Sequence, residues 1–250
     1  MHVLSRWRRI LQKLSLRVQL AGKVLFTFDD SYGRGNLHIS FSQDGEDLIA
    51  WRLFNELGIP RPRYLDIGAN DPERLSNTAL FHLLGCDGMT VEPNPELHAL
   101  LVRHRPGAIN LNIGIGPVAG ALTFHRMVNH SLSTFSDDEA RRLVNQEEVA
   151  LRDRLAIPVR PVREVLDSHS FHPDFLSLDV EGTELAILQS YDWERHRPAV
   201  ICVETIGYSR RGDRVREDDT REFLRSGGYS EAAQTLCNSL FVDWNRRRQP

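Results

Sequence analysis

The chain has 250 residues, of which 41% are hydrophobic and 26% charged, with 17 Gly and 12 Pro. This is enough for one large domain or two small ones, and it excludes collagen-like, low-complexity and wholly disordered chains. The formal net charge of −3 hides an asymmetry: residues 1–28 hold Arg6, Arg8, Arg9, Lys13, Arg17 and Lys23 and no acid, which leaves 25 basic and 34 acidic side chains elsewhere.

An acidic body argues against nucleic acid as a partner, because a basic face would be expected there. No run approaches the ~18 apolar residues of a membrane-spanning helix. Cys86, Cys202 and Cys237 are isolated in sequence, which fits a reducing, cytoplasmic setting rather than a disulfide framework.

In the basic head, Leu4, Trp7, Ile10, Leu11, Leu14 and Val18 fall near helical spacing. Residues 1–28 therefore read either as an interfacial amphipathic helix in peripheral contact with a membrane, or as a leader that is disordered or packed on the body. Asp29 to Asn36 reads as a linker, so the expected division is a segment 1–40 and a domain 41–250.

In the body, Ser42–Gly58 reads as a helix, capped by Ser42 or Asp44 and stopped by Gly58 and Pro60. Tyr64–Gly68 is a strand ending at a glycine turn. A helix over Arg74–Leu84, a strand over Met89–Glu92, a helix over Pro95–His104 and a strand over Ala108–Ile113 follow. Ala121–His125 is an added strand, and the charged stretch Asp137–Arg154 reads as helical. The alternation resumes with strand Phe175–Asp179, helix Glu184–Ser190, strand Ala199–Glu204, helix Thr220–Gly227 and strand Ser239–Asp243. Such alternation predicts an α/β fold, a mostly parallel sheet with helices on both faces.

Ligands of such sheets bind beyond the carboxyl ends of the strands. Those ends carry Asp66 and Asn70, Glu92, Asn112, Asp179 and Glu181, and Glu204. Glu92 has the position of an acid that accepts ribose hydroxyls. A dinucleotide fingerprint requires G-x-G-x-x-G, whereas this turn reads Gly68-Ala-Asn-Asp-Pro-Glu73. Acids around a turn repel phosphate, so a ribose-bearing ligand with a cationic end fits better than a nicotinamide cofactor. S-adenosyl-L-methionine is such a ligand.

The runs Tyr64–Asp71 (YLDIGAND), Ser76-Asn77-Thr78, Val91–Pro95 (VEPNP), Leu176–Leu185 (LSLDVEGTEL), Val200–Glu204 (VICVE) and Asn238–Val242, in this order, resemble the FkbM family of S-adenosylmethionine-dependent methyltransferases. The resemblance spans Ser42 to Asp243, some four-fifths of the chain. It implies a Rossmann-like class I methyltransferase core with seven strands, the last antiparallel. It also implies methyl transfer, usually to oxygen, on sugar or natural-product hydroxyls, with many relatives in polysaccharide or glycolipid pathways. Carried over by position, Asp66, Gly68, Ala69 and Asn70 line the methionine end of the cofactor and Glu92 its ribose. Asn94 and Asn112, Ile113 and Gly114 lie near the adenine. Where many relatives continue the first motif with Gly, this chain has Asp71-Pro72, which implies a stiffer turn.

Asp179 is the expected base or substrate-orienting carboxylate, with Glu181 second; the competing reading has either acid capping the following helix. His125 and His130 are further candidate bases near neutral pH, or simply polar loop residues. Asp179, Glu181 and Glu204 would offer oxygen ligands to Mg²⁺ or Ca²⁺, but separated carboxylates do not establish coordination, and no metal site is assigned. The expected partner is a hydroxylated small molecule or glycan. The alternative from another class is a catalytically inactive module of the same fold, recruited to membrane by the basic head.

Overall fold

The computed structural model describes residues 25–29, 36–206 and 218–247. Strands β1 (Leu25–Asp29) and β2 (Asn36–Ser40) pair antiparallel, so both ends of the expected linker lie in strands. The basic residues of the head lie outside the described residues, and the membrane reading with them. No helix among the described residues is long and apolar enough to cross a membrane.

Helix α1 (Glu46–Leu57) starts at Gly45 (φ 92°) and stops at Gly58 (φ 70°), both in the left-handed region that glycine adopts without a Cβ penalty. The N-cap position is Gly45 rather than Ser42 or Asp44, although Ser42 Oγ accepts the Asp47 N–H of the first turn at 3.3 Å. The Ser40 and Ser42 hydroxyls donate to the Asp47 carboxylate, at 2.6 and 3.0 Å.

Strand β3 (Tyr64–Ile67) and β4 (Gly88–Val91) flank α2 (Ala79–Leu83), and α3 (Pro95–His104) leads to β5 (Ile109–Leu111). The helix expected from Arg74 begins only at Ala79. Before it, Asp71 Oδ1 accepts the Glu73 and Arg74 N–H groups, Leu75 sits at φ 55°, and Ser76 Oγ accepts from Ala79 N–H. Side chains that capture nearby N–H groups compete with the helical ladder.

An insertion follows: β6 (Gly114–Ile115), β7 (Gly120–Met127), α4 (Asp137–Asn145) and β8 (Leu151–Arg160), with the strands ordered β6-β8-β7 in a separate sheet. The helix expected over Asp137–Arg154 is thus a helix and the start of a strand, broken where Glu148 turns to φ 55°. From Leu151 the side chains alternate, with Leu151, Asp153, Leu155, Ile157 and Val159 inward of the exposed Arg152, Arg154, Ala156 and Pro158. The charges on the outer face obscured this period of two.

The chain then forms α5 (Val162–Ser168), β9 (Phe175–Leu178), α6 (Glu184–Gln189), β10 (Val200–Glu204), α7 (Asp218–Ser226), β11 (Ser230–Gln234) and β12 (Asn238–Val242). The α5 and β11 segments were not legible as elements.

The central sheet is mixed, with order β11-β12-β10-β9-β3-β4-β5; β12 pairs antiparallel with both neighbours and runs against the other six. Its inner strands are buried on both faces. Leu65, Ile67, Met89, Val91, Leu176 and Leu178 pack with Val165, Leu166, Ile187 and Leu224 of α5, α6 and α7. On the other face Tyr64, Phe175, Val200 and Cys202 pack with Phe54 of α1 and Phe81 of α2. The order reverses between β3 and β9, where the crevice of such a sheet opens.

Candidate functional site

The β3 strand ends at Gly68, φ 82°, against the backbone of β9: a Cβ built there would fall 1.7 Å from the Asp179 carbonyl oxygen. Glycine is the residue that allows the first turn and the end of β9 to touch. Gly68 N–H and Ala69 N–H both donate to Val91 O, at 3.0 and 3.2 Å. Asn70, at φ 52°, donates its N–H to Glu92 Oε2 at 2.7 Å. Pro72 has no N–H, and the next two are held by Asp71.

Beyond these ends lies a cavity with an empty volume of about 530 Å³, open on one side, whose walls include Gly68, Asn70, Glu92, Gly114, Asp179 and Glu181. The insertion supplies another wall, from Phe124, His130, Ser131, Ser133 and Phe135. The Phe124 and Phe135 ring centroids are 4.8 Å apart, and a Cβ at Gly114 would meet the Phe135 ring at 2.5 Å. His125 and Thr134 exchange backbone hydrogen bonds of 2.8 and 3.1 Å, which folds the loop between them back over the crevice.

Glu92 is 4% exposed, and each of its carboxylate oxygens accepts one backbone N–H, from Asn70 and from Asn94 at 2.8 Å. Burial pushes its carboxyl up to about 7 against the pull of these two N–H groups. Each oxygen keeps a further lone pair beyond the one that its backbone donor takes.

Asp179 and Glu181 follow β9 on a stiffened loop. The Glu184 carboxylate accepts Val180 N–H and Gly182 N–H, each at 2.9 Å, and Thr134 Oγ1 donates to Glu181 O at 2.7 Å. The N-cap position of α6 is Thr183 and no side chain accepts a first-turn N–H there, so neither Asp179 nor Glu181 serves as the cap. Carboxylate oxygens of Asp179, Glu181 and Glu204 lie within 4.8 Å of one another, closer than their sequence separation suggested. Burial, then the charges of Asp66 and Glu46, push the Asp179 carboxyl up to about 7. Burial and then the neighbouring acids raise Glu181 and Glu204 well above the carboxylate range. A shared proton or a divalent cation would relieve that repulsion; the all-oxygen set suits Mg²⁺ or Ca²⁺.

Raised carboxyls favour the folded state below the unfolded carboxylate range near pH 4, and that advantage is lost as pH rises through about 7. Asp179→Asn is therefore expected to be about 1–2 kcal/mol more stable than the parent at pH 8, the full shift being reduced by solvent screening. Near pH 4 the two should melt together in urea titrations. Equal stabilities at pH 8 would show that the cluster carries no strain.

Four residues expected to contact the cofactor do not line the cavity. Asp66 points away from the cavity, where Thr78 Oγ1 donates to it and Arg105 Nη1 lies 3.7 Å away. Asn94 caps α3, accepting from Glu96 N–H at 3.1 Å. Asn112 Nδ2 donates to the carbonyls of Glu92 and Pro93, at 2.8 and 3.0 Å, and so fixes the cavity wall from behind. Ile113 packs on the core. Gly68, Asn70, Glu92 and Gly114 do line the cavity, with Ala69 buried in the turn between them.

The catalytic expectation for His125 is also corrected. Its Nε2 lies 2.6 Å from Asp137 Oδ1 and its Nδ1 accepts from Arg154 Nε at 3.2 Å, on a separate surface groove beside α4. With both ring nitrogens committed, it has no lone pair to offer. His130, the other candidate base, does line the cavity; Ser131, Ser133, Phe124 and Phe135 were not assigned to the site, because an inserted loop has no periodicity that reports where it folds back.

A comparison with curated proteins returned no match. Among solved structures, a methyltransferase FkbM from Methylobacillus flagellatus KT is 17% identical, covering 73% of this chain and 43% of its own, with a TM-score of 0.46. The chain thus spans less than half the length of that protein. A TehB-like SAM-dependent methyltransferase from Corynebacterium glutamicum is 14% identical over 80% of this chain and 88% of its own, with a TM-score of 0.37. The family described as Methyltransferase FkbM domain matches residues 66–231, which include Gly68, Glu92, His130 and Asp179. The chain belongs to the FkbM methyltransferase family.

Proposed function

We propose that the protein methylates a hydroxyl oxygen on a sugar, glycan or related metabolite, with S-adenosylmethionine as the methyl donor. One observation carries this reading: the amides of the first turn are spent on Val91 and Glu92, while the cavity beside them is walled by Glu92, Asp179 and Glu181. A diphosphate finds acids and no cationic side chain on that wall. A nucleoside with a cationic end finds a carboxylate for its ribose and acids for its ammonium and sulfonium groups.

S-adenosylmethionine, when bound, supplies an electrophilic methyl group on sulfur. The chain's own residues then align the acceptor and exclude water. Glu92 accepts the ribose hydroxyls. Phe124, Phe135 and Ile115 give the apolar surface a purine requires. Asp179 and Glu181 orient the acceptor by accepting hydrogen bonds from its hydroxyls, Asp179 being poised between its two protonation states near neutral pH.

Isothermal calorimetry with S-adenosylmethionine is expected to show saturable binding at one site, and fluorescence titration with NADH none. The reverse pattern would sink the reading. Glycans from cells with the gene are expected to carry one methyl mass that cells without it lack.

A further inference from the structure

His130 stands apart from His125, the other histidine of the insertion. It begins a 3-10 turn (His130–Leu132) closed by Ser133 N–H to His130 O at 3.2 Å, and its ring lines the cavity. Its Nδ1 lies 2.7 Å from Asn70 Oδ1. An amide oxygen only accepts, so Nδ1 carries the proton and the Nε2 lone pair is left for another partner. Asn70 is itself immobilised, at φ 52°, by the N–H that it gives to Glu92. The carboxylate placed to hold ribose therefore also fixes, through one residue, the tautomer of an imidazole in the same cavity.

We propose that His130 Nε2 is the general base of the transfer, an inference that rests on the methyltransferase reading above. As the acceptor oxygen bonds to the methyl carbon and the carbon–sulfur bond breaks, leaving its electron pair on sulfur, the hydroxyl proton passes to His130 Nε2. The imidazolium so formed remains hydrogen-bonded to Asn70 Oδ1. The ionisable groups that share the cavity with the ring are Glu92, Asp179 and Glu181, all acids. Asp179 and Glu181 are left to hold the acceptor. The contrast with His125 is chemical: there Arg154 occupies one nitrogen and Asp137 the other.

Long-range ¹H–¹⁵N spectra of the full chain at pH 8 should show His130 as the Nδ1–H tautomer, and Asn70→Ala should lose that single tautomer. His130→Gln should bind S-adenosylmethionine within about threefold of the parent, yet lower the methylated glycan in cells by about 10²-fold or more, the usual contribution of a general base. An Nε2–H tautomer, or methylation by His130→Gln at the parent level, overturns the assignment. If the unsubstituted protein fails to bind S-adenosylmethionine, the methyltransferase reading falls first and this inference with it.

Discussion

Arg105→Met is expected to destabilise the fold by about 3–5 kcal/mol, the usual cost of removing one partner from a buried ion pair. For a chain of this size that is a fall in melting temperature of about 10–15 °C. Arg105 is 1% exposed, and its guanidinium donates to Thr78 Oγ1 at 2.8 Å, to Pro72 O at 2.6 Å and to Ser76 Oγ at 2.8 Å, with Asp66 3.7 Å away. A Met side chain fills similar space and satisfies none of these.

The loss should also depend on pH. Burial already raises the Asp66 carboxyl, against the pull of Arg105. Without the arginine the carboxyl rises further, so the folded state holds its proton to higher pH than the unfolded chain. Stability of the variant then falls, relative to the parent, as pH increases from about 5 to 8. Adding Asp66→Asn should recover part of the loss at pH 8. Equal melting temperatures for Arg105→Met and the parent would refute the role of this cluster.

Glu92→Gln is expected to weaken S-adenosylmethionine binding by about 10–150-fold, since a hydrogen bond to a charged group contributes about 1.5–3 kcal/mol. The substitution is not isosteric in its chemistry. Both Glu92 oxygens accept backbone N–H groups, from Asn70 and Asn94, and an amide in their place turns one acceptor into a donor facing a donor. Because burial holds the Glu92 carboxyl near 7, affinity of the parent should fall between pH 8 and pH 6 as the carboxylate takes up a proton. The Gln variant should show no such fall from this position. Calorimetry at the two pH values reads both effects, and an unchanged affinity in the variant would remove Glu92 from the site.

The legible parts of this molecule were those where local pattern and global role agree. Short apolar runs ending in an acid marked β3, β4, β9 and β10, and buried strands of a covered sheet leave few other patterns open. Gly68 and Glu92 were readable because a turn and a strand end are set by sequence neighbours. Asp66 misled for a related reason: the last residues of a strand alternate between faces, and only packing shows which face meets the ligand. Asp66 turned toward Arg105, 39 positions on, whereas Glu92 turned toward the cavity.

Other features depended on contacts that no local pattern encodes. The β8 strand carries charges on its solvent side and reads as helix until β7 pairs with it. The gathering of Asp179, Glu181 and Glu204 depends on β9 and β10 pairing side by side, and the separation of His130 from His125 on where an inserted loop returns. Chain periodicity reports what a segment buries. The tertiary fold alone decided which polar groups met across the crevice, because those meetings join residues dozens of positions apart through backbone bonds such as that of Asn70 to Glu92.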